Sequence, residues 1–568
     1  MARRWLLAAR RPEVETALAS ELGVSPLLAR LLVNRELTTP AAATAFLSAK
    51  LAEHLRSPML FRDMARAAER VVVALRAGEQ VGIYGDYDVD GISGSAVLLT
   101  FLRALGHEPL LHIPHRLRDG YGVTEPGVRR LAEQGARLMI TVDCGAVAHR
   151  EVALASELGM EVIVCDHHQV SGTRLPAYAV LNPIEPDGGF PFAGLCGAGV
   201  AFYLALGVRM CLREAGVEAL PDLRRYLDLV TLGTIADIVP LLEENRVLVK
   251  HGLRELAQSS RPGIMALKTV SGVGRVTTGT VGFRLAPRLN AGGRLADAVR
   301  SVELLTTADA GRAEQLAQAL DQENRARQAI EIEILTDAVE RIESRGDADR
   351  CSIVLASPEW HPGVIGIVAS RLVERYYRPT LLIALNQQTG IGRGSGRSIR
   401  HFNLHEAVKA CGGVLEGFGG HRMAVGLSIR RERVEEFAEL FEQAVRANTR
   451  AEHFTPEIAV DAELALCDID DAVLADLEQL EPFGMGNPEP IFCTRAVTVL
   501  SRRIVGEKHL KLYLKHGERA LPAIGFGMAN RDIADAGTID ILYSPAMDEW
   551  NGNTSLQLRL RDLRPARA

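Results

Sequence analysis

The chain has 568 residues, of which 47% are hydrophobic and 24% charged, a balance that excludes a disordered tail protein, a collagen and a small disulfide-stapled scaffold. At roughly 150 residues per domain, this length predicts three to four domains. The net charge of −6 argues against a uniformly basic protein, but the charge is segregated: residues 455–490 hold ten acidic and no basic residues, whereas residues 491–568 hold twelve basic and eight acidic ones.

The sequence shows no apolar run long enough to span a membrane. The apolar runs, such as 200–206, are too short to span a bilayer, and no cleavage site follows the brief apolar stretch near the N-terminus. The eight cysteines form no C-x-x-C pair and show no zinc-ligand spacing. We therefore expect reduced thiols in a cytoplasmic protein.

The predicted elements alternate between strands and helices in the first half of the chain. Short helices are predicted over 1–50, and a helix over 66–77 precedes a buried strand over 81–84. A helix over 92–105 follows, and the next apolar strands are Leu138–Val142 and Glu161–Cys165. Strands that alternate with helices favour a mostly parallel sheet.

The second half of the chain shows three further patterns. From 295 to about 343 the sequence is rich in Ala and free of Pro, and its Leu and Ile residues fall at helical spacing, which predicts one or two long helices that join two lobes. A second α/β segment is predicted from 353 to about 447. After about 457, short alternating runs with Gly turns predict a small β-barrel. We place the domain boundaries at 1–65, 66–270, 271–345, 346–450 and 455–568.

The densest cluster of acidic residues follows the first predicted strand. The segment Y-G-D-Y-D-V-D-G (84–91) carries Asp86, Asp88 and Asp90 at alternate positions. An EF-hand loop would need Glu where Val97 stands, and a helix where the strand is predicted. A helix cap needs one Asp, and three within five residues repel one another unless a cation lies among them. The segment therefore predicts a metal site.

Metal-binding side chains also follow two later strands. Asp143 comes after the second strand, and Asp166, His167 and His168 come after the third, while Asp237 lies in a separate apolar segment. Because ligands gather beyond the carboxyl ends of strands in open α/β sheets, we expect these segments to converge. Carboxylate and imidazole ligands suit Mn²⁺ or Mg²⁺, and their number exceeds what one ion needs. We predict two ions, a pair typical of phosphoryl transfer.

These motifs together resemble the DHH phosphoesterase superfamily. The resemblance rests on D-Y-D-V-D-G, V-D-C-G (142–145), D-H-H (166–168) and the segment around Asp237, and G-G-H-R (419–422) resembles the associated substrate-binding domain. Four further segments resemble the bacterial single-strand-specific exonucleases of that superfamily: H-I-P-H-R (112–116), P-R-L-N (287–290), H-P-G-V-I-G (361–366) and S-G-R-S (395–398). D-H-H alone is weakly specific, whereas the ordered set, which runs from about residue 50 to the end, is very specific.

The resemblance implies a role for each matching residue. The implied metal ligands, with Asp143 bridging the two ions, are Asp88, Asp90, Asp143, His167 and Asp237. His168 is implied at the catalytic centre as a ligand or phosphate contact, and Asp86 and Asp166 as residues that orient ligands. Arg116 is implied near the 5′ end of a DNA strand. The implied phosphate contacts of the second lobe are Ser395, Arg397, Gly420 and His421.

Two basic segments favour nucleic-acid contact on composition as well. G-R-G-S-G-R (392–397) combines accessible backbone amides with two guanidinium groups, which suits phosphate, although a flexible surface turn is the alternative. The predicted barrel resembles an OB-fold. Its candidates for strand contact by charge and stacking, against the alternative of a solvated edge, are Arg502, Arg503, Lys508, Lys511 and Tyr513. The acidic stretch 461–489 is expected to form a solvated helix and linker.

The resemblance implies a metal-dependent exonuclease that degrades single-stranded DNA from its 5′ end to 5′-mononucleotides, in recombination and repair. It also implies a single-strand-binding protein and a RecQ-type helicase as partners, and we expect a monomer. Two alternatives stay open. Other members hydrolyse pyrophosphate, oligoribonucleotides or cyclic dinucleotides, but they are typically shorter and lack the barrel. Others are replication scaffolds, which have lost metal-site carboxylates that this chain keeps.

Overall fold

The computed structural model describes residues 3–566 except 117, 121, 187, 189, 296, 346–349, 532–536 and 551–552. The N-terminal part contains one strand, β1 (Arg4–Leu7), and four helices: α1 (Pro12–Leu22), α2 (Pro26–Val33), α3 (Pro40–Ser48) and α4 (Leu51–His54). Prolines begin three of these helices, and the side chains of Ser25 and Thr39 cap two of them. The sequence predicted only helices here, and β1 is an addition.

The next part is built on a five-stranded parallel sheet. Its elements are α5 (Met64–Ala77), β2 (Val81–Gly85), α6 (Val89–Ala104), β3 (Leu110–His112), α7 (Glu125–Glu133), β4 (Leu138–Val142), α8 (His149–Glu157), β5 (Glu161–Cys165) and β6 (Ala179–Leu181). The strand order is β3-β2-β4-β5-β6. Helices cover both faces, so β2 and β4 are buried along their whole length and form continuous apolar runs. The chain reverses its direction across the sheet between β2 and β4, where α/β folds bind ligands.

Helices complete this core and lead out of it. They are α9 (Gly197–Glu214), α10 (Leu227–Ala236), α11 (Glu243–Gln258), α12 (Pro262–Ser271), α13 (Thr278–Thr280), a π-helical turn (Val281–Leu285), α14 (Ala286–Leu295), α15 (Val299–Thr306) and α16 (Ala310–Arg345). One apolar core runs from Phe61 to Leu320. α16 has 36 residues and is therefore about 54 Å long. It leads to the second lobe, as the Pro-free pattern predicts.

The second lobe is a mixed five-stranded sheet with helices. It contains β7 (Ile353–Ser357), α17 (Ile365–Tyr376), β8 (Thr380–Leu385), β9 (Ile391–Arg397), α18 (Leu404–Ala410), β10 (Gly417–His421), β11 (Ala424–Arg430) and α19 (Val434–Asn448). The order is β10-β11-β9-β8-β7, and only β7 and β8 are parallel.

The last part is a closed barrel. Its elements are β12 (Glu457–Val460), β13 (Ala462–Glu463), α20 (Asp471–Leu480), β14 (Phe492–Val505), β15 (His509–His516), β16 (Arg519–Gly525), β17 (Thr538–Trp550) and β18 (Asn553–Pro565). β17 pairs back with β14, which closes five strands into a barrel of the OB type. The predicted fold class is therefore confirmed: α/β, with a parallel-sheet domain, a long helix, a second α/β domain and a terminal barrel.

The N-terminal part packs on this barrel. β1 pairs in parallel with β12, and helices α1 to α3 share an apolar core with α20 and the barrel strands. The acidic stretch 461–489 is therefore more than a solvated linker, because Leu477 and Leu480 of α20 are buried in that core.

A buried arginine connects the N-terminal part and the segment before the barrel to the parallel-sheet domain. Arg246 of α11 lies 3.6 Å above the ring of Phe46 in α3 and donates to its carbonyl oxygen. It also donates to the carbonyl oxygens of Gln479, Leu480 and Glu481, at 2.9–3.2 Å. Three segments distant in the sequence therefore meet at one guanidinium group.

Within the part of the chain that the structure describes, no helix combines the length and the apolar character needed to cross a membrane.

Candidate metal centre and basic cluster

The loop after β2 places three carboxylates at the sheet edge. Asp86 is buried, and Asp88 caps α6 by accepting from the backbone N–H groups of Asp90 and Gly91, at 2.9 and 3.3 Å. A Cβ atom at Gly91 would lie 2.6 Å from the backbone of Asp86, so this turn requires glycine. One of the three Asp residues is therefore a helix cap, and the other two need another explanation.

Asp90 is held by the start of helix α9. Its two carboxylate oxygens accept from the N–H groups of Gly197 and Ala198, at 2.6 and 2.9 Å. These N–H groups carry the positive end of the helix dipole, which favours an ionised carboxylate. The carboxylate is otherwise buried, so α9 fixes its position at the carboxyl edge of the sheet.

Asp143 follows β4 in a strained conformation. Its φ is +63°, a region that residues with side chains rarely adopt, and its N–H donates to the carbonyl of Cys165. A Cβ atom at Gly197 would lie 2.5 Å from the Cβ of Asp143. The strained backbone and the missing side chain together bring the Asp143 carboxylate against the start of α9.

Asp166 orients the two histidines that follow it. Its carboxylate accepts from the N–H groups of His167, His168 and Ala146, and from Nδ1 of His168 at 2.8 Å. Burial alone would raise the pKa of Asp166, but these hydrogen bonds and the His168 charge lower it. Burial alone would lower the pKa of His168, yet its bond to Asp166 raises it to about 9.

The imidazole of His167 lies among the carboxylates. Its Nε2 atom is 3.1 Å from an oxygen of Asp143 and 3.5 Å from one of Asp237. It is 3.7 Å from an oxygen of Asp90. In the described residues, Nε2 of His167, Oδ1 of Asp143 and Oδ1 of Asp86 are buried without any hydrogen-bond partner. Asp143 links the other two residues, because it has a ligand atom within 4.8 Å of one from Asp86 and a ligand atom within 4.8 Å of one from His167.

Three trios of side chains in this cluster have ligand atoms within 4.8 Å of one another: Asp86, Asp88 and Asp143; Asp90, His167 and Asp237; and Asp143, His167 and His168. Burial, and then the charge of neighbouring carboxylates, raises the pKa of Asp86, Asp90, Asp143 and Asp237, that of Asp237 to about 9. Divalent cations would remove this repulsion and satisfy the unpartnered atoms. The donor set therefore fits two hard cations such as Mn²⁺ or Mg²⁺.

A cluster of basic side chains lies beside these carboxylates. The guanidinium carbon of Arg116 lies 5.1 Å from the ring centroid of Tyr87. Tyr87 belongs to the segment 84–91 at the end of β2, called the acidic loop below. Arg397 of β9 donates to Ser395 Oγ and to the carbonyl of Gly396. Burial, and then the nearby charge of Arg116, lowers the pKa of Arg397. Arg116 of the first lobe and Arg397 of the second lobe, which the sequence predicted as substrate-binding residues, therefore lie close together across one cleft.

Arg294 of α14 also belongs to this basic cluster. It donates to the carbonyl of Gly363 in the second lobe, and burial, followed by the charge of Arg116, lowers its pKa to about 10. Among the described residues, no carboxylate forms an ion pair with Arg116, Arg294 or Arg397. Three arginines that repel one another and lack acidic partners indicate a site for an anion such as phosphate.

His421 and Gly420 lie on the same sheet as Arg397 but farther out. Arg397 and His421 both pair with Ala424 of β11, one from each side, so they lie level and roughly 10 Å apart on one face of the sheet. Gly420 has a φ of +132°, and a Cβ atom there would lie 2.4 Å from the carbonyl oxygen of Ala424. Strand β10 is exposed, so His421 is available to a ligand above the cleft.

Three protein-family models match the chain: the N-terminal domain of the DHH family over residues 80–234, the DHHA1 domain over 350–447 and the RecJ OB domain over 460–562. The single-stranded-DNA-specific exonuclease RecJ of Bacillus subtilis is 38% identical over 566 residues, which are 98% of this chain and 70% of that protein.

The chain belongs to the RecJ family.

Solved RecJ structures have the same architecture. RecJ of Thermus thermophilus in complex with Mn²⁺ matches with a TM-score of 0.85 at 32% identity, over 100% of this chain and 80% of that one. The same RecJ in complex with Mg²⁺ matches with a TM-score of 0.79 at 29% identity, over 100% and 79% of the two chains. The two metals are those that the donor set of this RecJ-family chain fits.

Sequence reasoning missed two contributors to this RecJ-family site. Gly197 shapes the metal centre through the absence of a side chain, and its only signal is the glycine-rich segment C-G-A-G (196–199). Arg294 lies in the segment assigned to the helical linker, where an arginine suggests a solvated face. Its one signal is that it follows Asn290 by four residues, which places both on the same side of a helix. Asn290 Oδ1 accepts from the N–H of Val89 in the acidic loop.

Proposed function

We propose that this chain is a metal-dependent exonuclease that hydrolyses single-stranded DNA from its 5′ end and releases 5′-mononucleotides. The observation that carries the proposal is the position, beside the carboxylate and imidazole cluster, of three arginines that form no ion pair with a carboxylate in the described part of the chain. A terminal phosphate held by Arg116, Arg294 and Arg397 would place the next phosphate of the strand near the metal centre.

We assign the metal ligands from the trios. One cation would be held by Asp86, Asp88 and Asp143, and the other by Asp90, His167 and Asp237, with Asp143 at the border of the two groups. Asp86 thus becomes a candidate ligand, whereas the resemblance implied only an orienting role. Two divalent cations bound there would polarise the phosphate and lower the pKa of an attacking water.

The chain's own residues do the remaining work. Asp166 accepts from the backbone N–H groups of His167 and His168 and from ring Nδ1 of His168, and so fixes the segment that carries both imidazoles. A fourth hydrogen bond, from the N–H of Ala146, holds Asp166 itself. The basic cluster fixes the strand end, so one phosphate is presented at a time. Positioning of this kind supplies a large part of the rate in phosphoryl transfer.

A polymer substrate is favoured over a dinucleotide or pyrophosphate because the chain carries a barrel with an exposed basic strand. On β15, Lys511, Tyr513 and Lys515 alternate with buried residues and point outward. Such a surface suits a single strand, through charge and stacking. A replication scaffold is disfavoured because every carboxylate of the metal centre is present.

The test uses one oligonucleotide labelled at its 5′ end and another labelled at its 3′ end, each incubated with Mn²⁺. We expect immediate release of the 5′ label as a mononucleotide and stepwise shortening of the 3′-labelled strand. Asp143→Ala should be inert while keeping the melting temperature of the wild type. Intact strands with the wild type would overturn the proposal, and full activity in Asp143→Ala would overturn the ligand assignment.

We also propose that the cleft excludes duplex DNA by its width. The comparison is between a blunt duplex and a duplex with a 5′ single-stranded tail, and equal cleavage rates would refute the exclusion.

Three further parts of the proposal concern the setting of the enzyme. A role in recombination and repair would bring it together with a single-strand-binding protein and a RecQ-type helicase, which co-sedimentation with each purified partner tests. A monomer is tested by light scattering. All eight cysteines are free, which suits the reducing cytoplasm.

A further inference from the structure

A groove of about 700 Å³ opens beside the metal centre. Five separate parts of the chain line it: the end of α10 with the turn after it (234–241), α13 with the π-helical turn and α14, the middle of α16, the helix α17, and the segment 483–485 before the barrel. Its volume is in the range of ligand-binding clefts. Since it lies where these parts meet, its shape depends on the whole fold.

One wall of this groove is apolar and open to solvent. Phe283 is 85% exposed on the π-helical turn, Ile238 is 65% exposed and Met485 is 55% exposed. Exposed apolar side chains that stand singly need no explanation, but three that line one groove indicate a binding surface. The π-helical turn supports this inference, because such turns are frequent at functional sites.

Ile238 is held in the groove at a conformational cost. Its φ is +60°, which is an outlier for a β-branched residue, and it directly follows Asp237 of the metal centre. Its N–H donates to the carbonyl of Ile235, and the N–H of Leu241 donates to the carbonyl of Met485 at 2.7 Å. The strained turn thus directs a carboxylate into the metal centre and the next side chain into the groove.

The groove is continuous with both parts of the site. Asn290 lines it and also accepts from the N–H of Val89 in the acidic loop. Arg294 lines it and belongs to the basic cluster. A strand with one phosphate at the metal centre would therefore continue along this groove. An apolar wall for base faces, beside an arginine without an acidic partner among the described residues, fits single-stranded nucleic acid.

We propose that this groove binds the unpaired bases that follow the scissile phosphate, and that Phe283 stacks on one of them. The inference rests on the proposed exonuclease function and deepens it. Ile238 and Met485 complete the apolar wall against which the bases lie. Base faces are accessible only in an unpaired strand, so the groove contributes to the selection of single strands by chemistry as well as by width.

The first experiment compares the wild type with Phe283→Ala on an oligothymidine in the presence of Mn²⁺. Loss of one stacked base should lower kcat/KM roughly 5- to 150-fold. Phe283→Trp should keep most of the activity, because it keeps a flat ring. Met265→Ala is the matched control, since Met265 is 52% exposed on α12 and lies outside the groove; it should cleave like the wild type.

The second experiment identifies the base. Strands with one abasic residue at successive positions after the 5′ nucleotide are cleaved by the wild type and by Phe283→Ala. At one position the wild type should lose as much as the substitution costs, and the variant should lose nothing more. If the abasic residue and Phe283→Ala lowered kcat/KM by independent factors at every position, stacking by Phe283 would be refuted.

A binding measurement completes the test without cleavage. The fluorescence of 2-aminopurine at the identified position, with protein in EDTA, should be quenched by the wild type and not by Phe283→Ala. Equal activity and equal quenching in both proteins would overturn this inference alone, because the proposed exonuclease function would still stand. A wild type that leaves single strands intact would overturn the proposed function, and this inference with it.

Discussion

Gly197 offers a sharp test of the metal centre because a side chain there would strike Asp143. A methyl group would lie 2.5 Å from the Cβ of Asp143 and 2.8 Å from its Oδ1. Non-bonded carbon atoms pack at about 3.5 Å or more, so one backbone must retreat by roughly 1 Å. The retreat would also disturb Asp90, which accepts from the N–H groups of Gly197 and Ala198. Since a shift of about 1 Å can cost about 100-fold in rate, we expect Gly197→Ala to lose about that factor in strand cleavage.

The metal affinity of Gly197→Ala should fall by roughly 10- to 100-fold, the usual effect of moving a residue that supports metal ligands. Calorimetric titration of the chelator-treated protein with Mn²⁺ measures this, and a cleavage assay measures the rate. Gly199→Ala is the control. Its methyl group would lie 3.3 Å from the flexible end of Leu195 and would otherwise make only ordinary contacts, with Leu195 Cβ at 3.7 Å and Cys196 Sγ at 3.8 Å. If Gly197→Ala bound Mn²⁺ and cleaved strands as well as Gly199→Ala, the account of the metal centre would be wrong.

Four further outcomes are expected. Arg246→Met should lower the free energy of unfolding by roughly 3–5 kcal/mol, because four carbonyl groups lose a buried charged donor; an unchanged melting temperature would contradict this. Arg397→Ala should reduce the dependence of log affinity for single strands on log salt by about 0.7, the share of one phosphate contact, and an unchanged slope would argue against that contact. Burial alone would raise the pKa of Glu442, but donors from Cys351 and Ser352 lower it below the usual 4.5. The stabilising effect of the ionised carboxylate is therefore present above pH 4.5 and is lost as the pH falls through the folded-state pKa. Glu442→Gln should lower the free energy of unfolding at pH 7 but not at low pH. Urea unfolding that shows the same loss of free energy at both pH values would refute this. EDTA should abolish cleavage and Mn²⁺ restore it, and cleavage that persisted in EDTA would exclude a metal centre.

The carboxyl edge of the parallel sheet was predictable because its signals are local. Strands β2, β4 and β5 are short apolar runs, and the candidate metal ligands follow them directly. The parallel topology then brings those side chains together, whatever the loops between them do. The long helix α16 was equally visible, because a Pro-free stretch with apolar residues at helical spacing has few other structures available.

Other features were hidden because they depend on distant partners. β1 pairs with β12 across more than 450 residues of sequence, and a four-residue strand carries no local trace of such a partner. The acidic stretch before the barrel was expected to be a solvated helix and linker. Its helix α20 exists, but Ser25, which caps α2, donates to Asp476 of this helix, and two leucines of the helix are buried. The high density of acidic residues made the apolar face of α20 hard to recognise in the sequence.

Helix α14 contacts both halves of the site, and this has a thermodynamic consequence. A Cβ atom at Gly293 would lie 2.3 Å from the carbonyl oxygen of Tyr87, so the helix backbone rests directly on the acidic loop. The next residue, Arg294, donates a hydrogen bond to the carbonyl oxygen of Gly363 in the second lobe. Two consecutive residues of one helix therefore connect the acidic loop to the second lobe. If cations bound at the acidic loop raise the affinity of the second lobe for a strand through this connection, the strand must raise the affinity for the cations by the same factor.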